Sequence, residues 1–289
     1  MKVYLVSQTG EQIELGTEYT DTYKIIPDIV GLESPHYNNT TSQTAFTDGQ
    51  SYYGAYADYR ELSLSFLIQC EGYADMWITS KRRDIIRVLN PKNGEITFRL
   101  ELDDGQTYDI QSIIAGVPTI TQSGYKPNNA ICNIDLICYD PWFKDHTQGV
   151  KEISLSTGGF KLPFVLPLNL GTYGYDIITN NGDVASPCLI VINGPITNPV
   201  IENETTGESI IITRELVVGE RLMIDTDYKT PYVRYYDTNG EYTDLFNAVD
   251  IDSVFFQIQP GDNTIKLTDT EDLTGSTFVF AWYDRYSGV

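Results

Sequence analysis

Only two imidazoles occur in the 289 residues: His36, beside Pro35, and His146, in the polar run Lys144-Asp145-His146-Thr147-Gln148-Gly149. A Ser-His-Asp or Cys-His centre needs an imidazole aimed at its nucleophile and held by a third group. The sequence offers neither a G-x-S-x-G elbow nor a Cys-His pairing with supporting context. It also lacks H-E-x-x-H, a Walker A loop and a G-x-G-x-x-G after a strand. A glycosidase needs two carboxylates across a cleft, and 40 Asp and Glu residues satisfy that by number alone. These acids stand mostly in turns or alternate along strands, where solvation explains them. The chain reads as a non-enzyme with no catalytic residues.

Asp237-Thr238-Asn239-Gly240-Glu241 imitates part of a calcium loop, but Ala248 stands where the bidentate Glu belongs. A hairpin turn between Tyr236 and Tyr242 accounts for it, and Asp225-Thr226-Asp227 reads as a strand end. The four cysteines, Cys70, Cys132, Cys138 and Cys188, form no C-x-x-C pair. Cys132 and Cys138 are separated by about 20 Å along a strand at about 3.3 Å per residue, too far to bridge each other. Buried free thiols are expected, with no metal and no cofactor. Sugar recognition would use aromatic faces beside polar groups, which Tyr235, Tyr236, Trp282 and Tyr283 offer. Tyr235 and Trp282 are the candidate glycan-stacking residues, with cross-strand packing as the competing reading.

Net charge is −21, with 11 basic residues against 20 acidic ones through Asp145 (net −9) and 8 against 20 beyond it (net −12). Both parts are acidic, which disfavours binding to a phosphate backbone but suits a channel that DNA slides through. The opening Met1-Lys2-Val3-Tyr4-Leu5-Val6-Ser7-Gln8 has too short an apolar run for a secretory signal. No stretch reaches the 18 apolar residues of a membrane span. The 21 tyrosines, with many Ile, Val and Thr, favour strands.

The elements follow from periodicity. An opening hairpin is expected around Thr9-Gly10-Glu11, and Leu62, Leu64, Phe66 and Ile68 alternate as a half-buried strand. Residues 31–58 show little periodicity and read as an interaction loop, or as a segment that partner subunits order. One helix is expected over about 74–89, placing Trp77, Ile78, Ile85, Val88 and Leu89 on one arc before Asn90-Pro91 stops it. Lys81 interrupts that arc and must snorkel past the core or reach a partner. Lys81, Arg83 and Arg87 are candidate inter-subunit contacts, with a solvated helix face as the alternative. Ile96 to Leu102 and the return from Tyr108 form another hairpin, and residues 117–131 could extend as an antiparallel arm.

Ile131 to Cys138 alternates again, and Asp140-Pro141-Trp142-Phe143 ends the strand because proline lacks the ladder donor. Beyond the linker, short apolar runs at Phe164–Leu166, Leu189–Ile192, Ile210–Ile212, Leu222–Ile224, Val233–Tyr236, Val254–Phe256 and Phe278–Phe280 alternate with turn signals. That pattern is a β-sandwich. The chain is therefore mainly β, with residues 1–145 a β-rich domain bearing one helix and residues 146–289 a sandwich.

The order of several short motifs resembles siphophage distal tail proteins. They are the Arg60-to-Ile68 strand, Arg83, Ile86 and Leu89 on the helix, Asn90-Pro91-Lys92-Asn93-Gly94-Glu95, and Asp140-Pro141-Trp142-Phe143. Asn181-Gly182-Asp183, Pro187, Asn193-Gly194-Pro195-Ile196-Thr197-Asn198-Pro199 and Pro260-Gly261-Asp262-Asn263 follow in the second half. The resemblance implies a ring-forming N-terminal domain, usually hexameric, with a protruding arm, and a galectin-like C-terminal β-sandwich. It implies a structural hub at the virion tail tip or baseplate, made in the bacterial host cytoplasm, that joins the tail tube protein to tail-tip and tail-associated proteins. Receptor-binding proteins or host polysaccharide are further expected partners, while nucleic-acid binding and membrane insertion are not. The galectin sugar-binding motif is not evident, and fold likeness does not carry sugar binding with it. A carbohydrate-binding adhesion module is the alternative.

Overall fold

Where apolar and polar residues alternate most regularly, the chain forms its longest strand pair. Arg60–Gln69 runs antiparallel to Asn129–Cys138 over ten residue pairs, with Phe66 opposite Cys132 and Leu62 opposite Leu136. Period-two alternation sends Leu62, Leu64, Phe66 and Ile68 to the same side as Ala130, Cys132, Ile134 and Leu136, and all are buried. The structure, a computed structural model, describes residues 1–18, 21–69, 74–122, 129–157, 172–268 and 275–289. Cys70, the loop following Gln122 and the run Phe164–Leu166 lie outside the described residues.

The chain divides into two units, Met1–His146 with Tyr286–Val289, and Thr147–Arg285. In the first, β1 (Lys2–Ser7), β2 (Gln12–Leu15) and β3 (Tyr23–Val30) precede a ribbon of β4 (Tyr37–Ser42) and β5 (Ser51–Ala57). Then come β6 (Arg60–Gln69), α1 (Ala74–Val88), β7 (Ile96–Glu101) and β8 (Thr107–Ile114). β9 (Thr119–Gln122), β10 (Asn129–Cys138) and β11 (Phe143–Asp145) complete the series. The main sheet has the antiparallel order β2-β1-β7-β8-β10-β6-β3, with β9 added on β10 and β11 on β8. The described part of α1 covers it with Ile78, Ile85 and Val88, and Leu89 follows them into the core. Asn90, extended before Pro91 at ψ 116°, ends the helix and caps the next turn through Lys92 N.

The second unit contains β12 (Gly149–Ser154), β13 (Ser156–Thr157), β14 (Thr172–Asn180), β15 (Cys188–Asn193), β16 (Ile196–Thr197) and β17 (Val200–Asn203). It continues with β18 (Glu208–Ile211), β19 (Glu215–Leu216), β20 (Arg221–Asp225), β21 (Tyr232–Tyr236) and β22 (Tyr242–Asp244). β23 (Gly261–Thr268) and β24 (Thr277–Trp282) follow. Two sheets, β12-β24-β15-β20-β21-β22 and β13-β14-β23-β17-β18, share one core, to which Ile190, Phe278, Phe280 and Leu222 come from one and Ile201, Ile210, Ile265 and Leu267 from the other. The expected mainly β fold with a single helix among the described residues is borne out. The asparagine turn motifs are structural. Asn180 Nδ2 donates to Val184 O and Ile258 O, while Asn263 Oδ1 accepts from Gln259 N and Asn203 Nδ2. Gly182 permits its turn because a Cβ there would lie 2.2 Å from the Arg285 carbonyl oxygen.

Two expectations need correction. Residues 31–58 are not an irregular loop, since 37–42 and 51–57 pair as the β4–β5 ribbon. Val254–Phe256 is not a strand; Phe256 enters the core from an irregular segment, and Phe255 stacks on Phe246 at 5.6 Å.

Arg60 ties the first unit together. It stands opposite Cys138 at the end of the central pair and is only 2% exposed. Its Nε donates to Pro141 O (2.7 Å), Nη1 to Gly31 O (2.6 Å) and Glu33 O, and Nη2 to Ser287 O (2.6 Å). The guanidinium carbon also lies 4.7 Å from the centre of the Phe143 ring. Gly31 is required where it stands: its φ is +96°, and a Cβ would fall 2.0 Å from Glu61 O. Arg60→Met strips four carbonyls of a buried donor and is expected to lower the stability of the first unit by about 3–5 kcal/mol. Urea unfolding followed by hydrogen exchange in each unit checks it, with the Thr147–Arg285 unit unchanged. Arg60→Lys should recover only part of the loss, because an ammonium cannot reproduce the planar fork.

Candidate functional site

The residues singled out for chemistry are held by their neighbours. His146 Nδ1 lies 2.9 Å from Asp109 Oδ2, and Arg99 clamps the same carboxylate through Nε (2.7 Å) and Nη2 (3.0 Å). The hydrogen bond to Asp109 raises the Arg99 pKa, so this cluster is a cross-strand ion pair between β7 and β8 that the imidazole joins. Burial pushes the thiols of Cys132, Cys138 and Cys188 up to about 12, which removes the thiolate that a nucleophile or metal ligand requires. Asp237 Oδ1 accepts from Asn239 N and Glu241 N at 2.9 Å, closing the expected hairpin turn with the carboxylate itself.

The glycan-stacking candidates are placed otherwise than a sugar platform demands. Trp282 is 8% exposed and belongs to the core of the second unit, with its indole pressed on Gly149 of β12. Its Nε1 donates to Asp284 Oδ1 at 2.9 Å, the partner a buried indole needs. Tyr235 donates to Glu220 Oε1, and the Arg214 guanidinium covers its ring at 4.4 Å. The alternation of β21 and β24 turns both residues inward, leaving Tyr232, Arg234 and Tyr236 on the other side of β21.

The basic residues of α1 are partly neutralised at home. Arg87 Nε pairs with Glu11 at 2.9 Å, and its Nη2 lies 3.5 Å from Asp84. Lys81 lies 3.8 Å from Asp84 and 5.8 Å from the centre of the Tyr23 ring, while Arg82 donates to Ile120 O. Arg83 is exposed. Lys81 and Arg87 share with Glu11, Glu14 and Asp21 an open cleft of about 630 Å³. Lys81 and Arg87 are thus paired with carboxylates of the same unit.

The feature that sequence reasoning missed is the β4–β5 ribbon. It runs between two buried anchors, Pro35 and Arg60, and none of the intervening residues is buried. At its root Asp58 N donates to His36 O (2.8 Å) and Asn38 Nδ2 to Asp58 Oδ2 (2.7 Å). Phe46 at the tip is fully exposed with φ +64°, and Tyr37, Tyr52, Tyr53 and Tyr56 are exposed along the strands. The register shifts between Thr40–Gly54 and Thr41–Tyr52, making Tyr53 the extra residue of a β-bulge. An isolated two-stranded ribbon is marginal in water, and clustered exposed aromatics mark interaction surfaces. The available signal was the Tyr-rich Ser51–Ala57 facing a Thr-rich stretch across Thr47-Asp48-Gly49.

Residues 181–286 match the sequence family described as "Siphovirus-type tail component, C-terminal domain". This part of the chain is similar to siphovirus tail-component domains. No curated protein sequence matches the chain. The crystal structure of the SPP1 Dit protein, described as a paradigm of hub adsorption apparatus in Gram-positive infecting phages, superposes with a TM-score of 0.63 at 15% identity, covering 96% of this chain and 98% of that one. A chain of the phage p2 baseplate in its activated conformation with Sr gives 0.50 at 12% identity, covering 97% and 96%. At these identities the likeness is one of fold, and it extends along the whole chain. The resemblance to distal tail proteins read from the short motifs is borne out.

Trp282→Ala is expected to destabilise the second unit by about 3–5 kcal/mol, as deletion of a core aromatic does. Tyr242→Ala, at a site 62% exposed, should cost about 1 kcal/mol or less. Chemical denaturation of the two variants separates a packing role for Trp282 from a surface one.

Proposed function

We propose that the chain is a ring-shaped hub of a siphophage tail tip, a homohexamer that joins the tail tube protein to tip proteins and sits in the virion tail. The expected N-terminal domain, residues 1–145 with the 117–131 segment as an arm, makes the ring together with Tyr286–Val289, and the sandwich, Thr147–Arg285, supplies a second domain. The observation that carries this reading is the β4–β5 ribbon: its exposed tyrosines and Phe46 have no cover in a single subunit. Residues 37–57 contain one charge, Asp48, in a chain of net charge −21. Two copies therefore meet there with the least like-charge repulsion. A cyclic ring needs two different complementary patches on each subunit, and a projecting ribbon with a receiving face on the next copy satisfies that requirement. Lys81, Arg83 and Arg87 belong on this reading to a subunit boundary or the periphery, because cations lining the lumen would retain passing DNA.

The alternative, a carbohydrate-binding adhesion module, asks for ring faces open to solvent. Trp282 is inside the core and Arg214 covers Tyr235, so the two residues named for it do not favour it.

Light scattering on the purified chain is expected to give six times the 32.6 kDa subunit mass, and electron micrographs a ring with a central hole. Phe46→Asp with Tyr53→Asp should return the mass to one subunit with the circular dichroism unchanged, since both sites are exposed. A strict monomer at high concentration, still without rings when tail partners are added, would overturn the proposal.

A further inference from the structure

We infer that residues Tyr286–Val289 are a staple that fixes the root of the ribbon, so that the subunit becomes competent to assemble only after its second unit has been synthesised. The inference rests on the reading of the ribbon as a subunit contact. These four residues belong to the first unit although the 139 residues of the second, Thr147–Arg285, separate them from it in the chain. Ser287 O accepts from Arg60 Nη2 at 2.6 Å, on the same guanidinium whose Nη1 holds Gly31 O and Glu33 O. Val289 N donates to Leu32 O at 3.0 Å. Gly288 lies flat on this loop: a Cβ there would come within 3.0 Å of the Glu33 carbonyl carbon and 3.1 Å of Leu32 O. The Tyr286 ring meets Tyr108 edge-on at 5.1 Å, and Tyr286 and Val289 pack against the core.

The loop 31–33 leads through buried Pro35 directly into the ribbon, and Arg60 takes the chain back into the core at its other end. One guanidinium thus grips both roots of the ribbon, and the acceptor for its Nη2 is made only after the second unit. A chain made only as far as His146 contains every strand of the main sheet path and the ribbon itself. Its Arg60 still lacks the Ser287 acceptor, and Leu32 O the Val289 N donor. The device delays ribbon docking between incomplete chains, whose exposed aromatics would otherwise associate early.

Hydrogen exchange tests this on the full chain, on a chain ending at Arg285 and on full-length Gly288→Val. Losing a hydrogen bond to a charged donor should speed exchange at the ribbon root by about tenfold or more, read at the Asp58 amide bonded to His36 O. Amides of the second unit should be unchanged, and the oligomer weakened in both variants. Root exchange equal to that of the full chain, or equal acceleration in both units, would overturn the inference. If the shortened chain does not fold, Gly288→Val decides by the same two readouts. A full chain that is monomeric while the variants still loosen the root would sink the ring reading and leave the staple standing.

Discussion

A guanidinium buried among backbone carbonyls sets the terms for the first unit. Arg60 is taken out of water with no carboxylate bonded to it; its compensation comes from the carbonyl oxygens of Gly31, Glu33, Pro141 and Ser287 and from the face of Phe143. Burial pulls its pKa below the ordinary arginine value, but arginine starts so high that the charge survives where a lysine would be far easier to neutralise. Four carbonyls held by one rigid fork also fix three chain segments, 31–33, Pro141 and Ser287, against β6. The Asp140-Pro141-Trp142-Phe143 corner gains a physical meaning from this: Pro141 supplies a carbonyl and Phe143 a ring to the same cation.

The two units solve the strand problem differently. The first surrounds one long antiparallel pair, β6 and β10, with shorter strands and caps the sheet with a helix. The second divides its strands between two sheets and fixes its corners with buried asparagines at positions 180, 203 and 263. Those asparagines satisfy backbone groups where the chain leaves a strand, which is the condition for burying a turn at all. In a chain of net charge −21, the ribbon stands out because residues 37–57 carry one charge, Asp48.

How far the sequence could be read depended on whether each signal came from burial. Strands β6, β7 and β10 and the α1 arc were legible because one side of each faces a core, and that imprints a period on the residues. The ribbon has no buried side, so no period marks it, and its tyrosines pass for loop composition. Phe255 and Phe256 mimic a strand because an irregular segment that feeds a core also needs consecutive apolar residues. Trp282 was legible as a large aromatic beside polar neighbours, but only the register of β24 against β12 and β15 shows which side it takes. The return of Tyr286–Val289 to the first unit leaves little trace in sequence, since Ser287 and Val289 make their hydrogen bonds through backbone atoms. The candidate site was therefore less legible than the fold: contact residues on an exposed element carry identity without pattern.

The bulge at Tyr53 has a further consequence. Without it, Tyr52 and Tyr56, four residues apart on one strand, would project from the same side of the ribbon. The extra residue reverses the parity: Tyr56 lies across from Asn38 and Tyr52 across from Thr41, and those two partners alternate. The register shift thus leaves exposed tyrosines on both faces of the ribbon, so that neither face is purely polar.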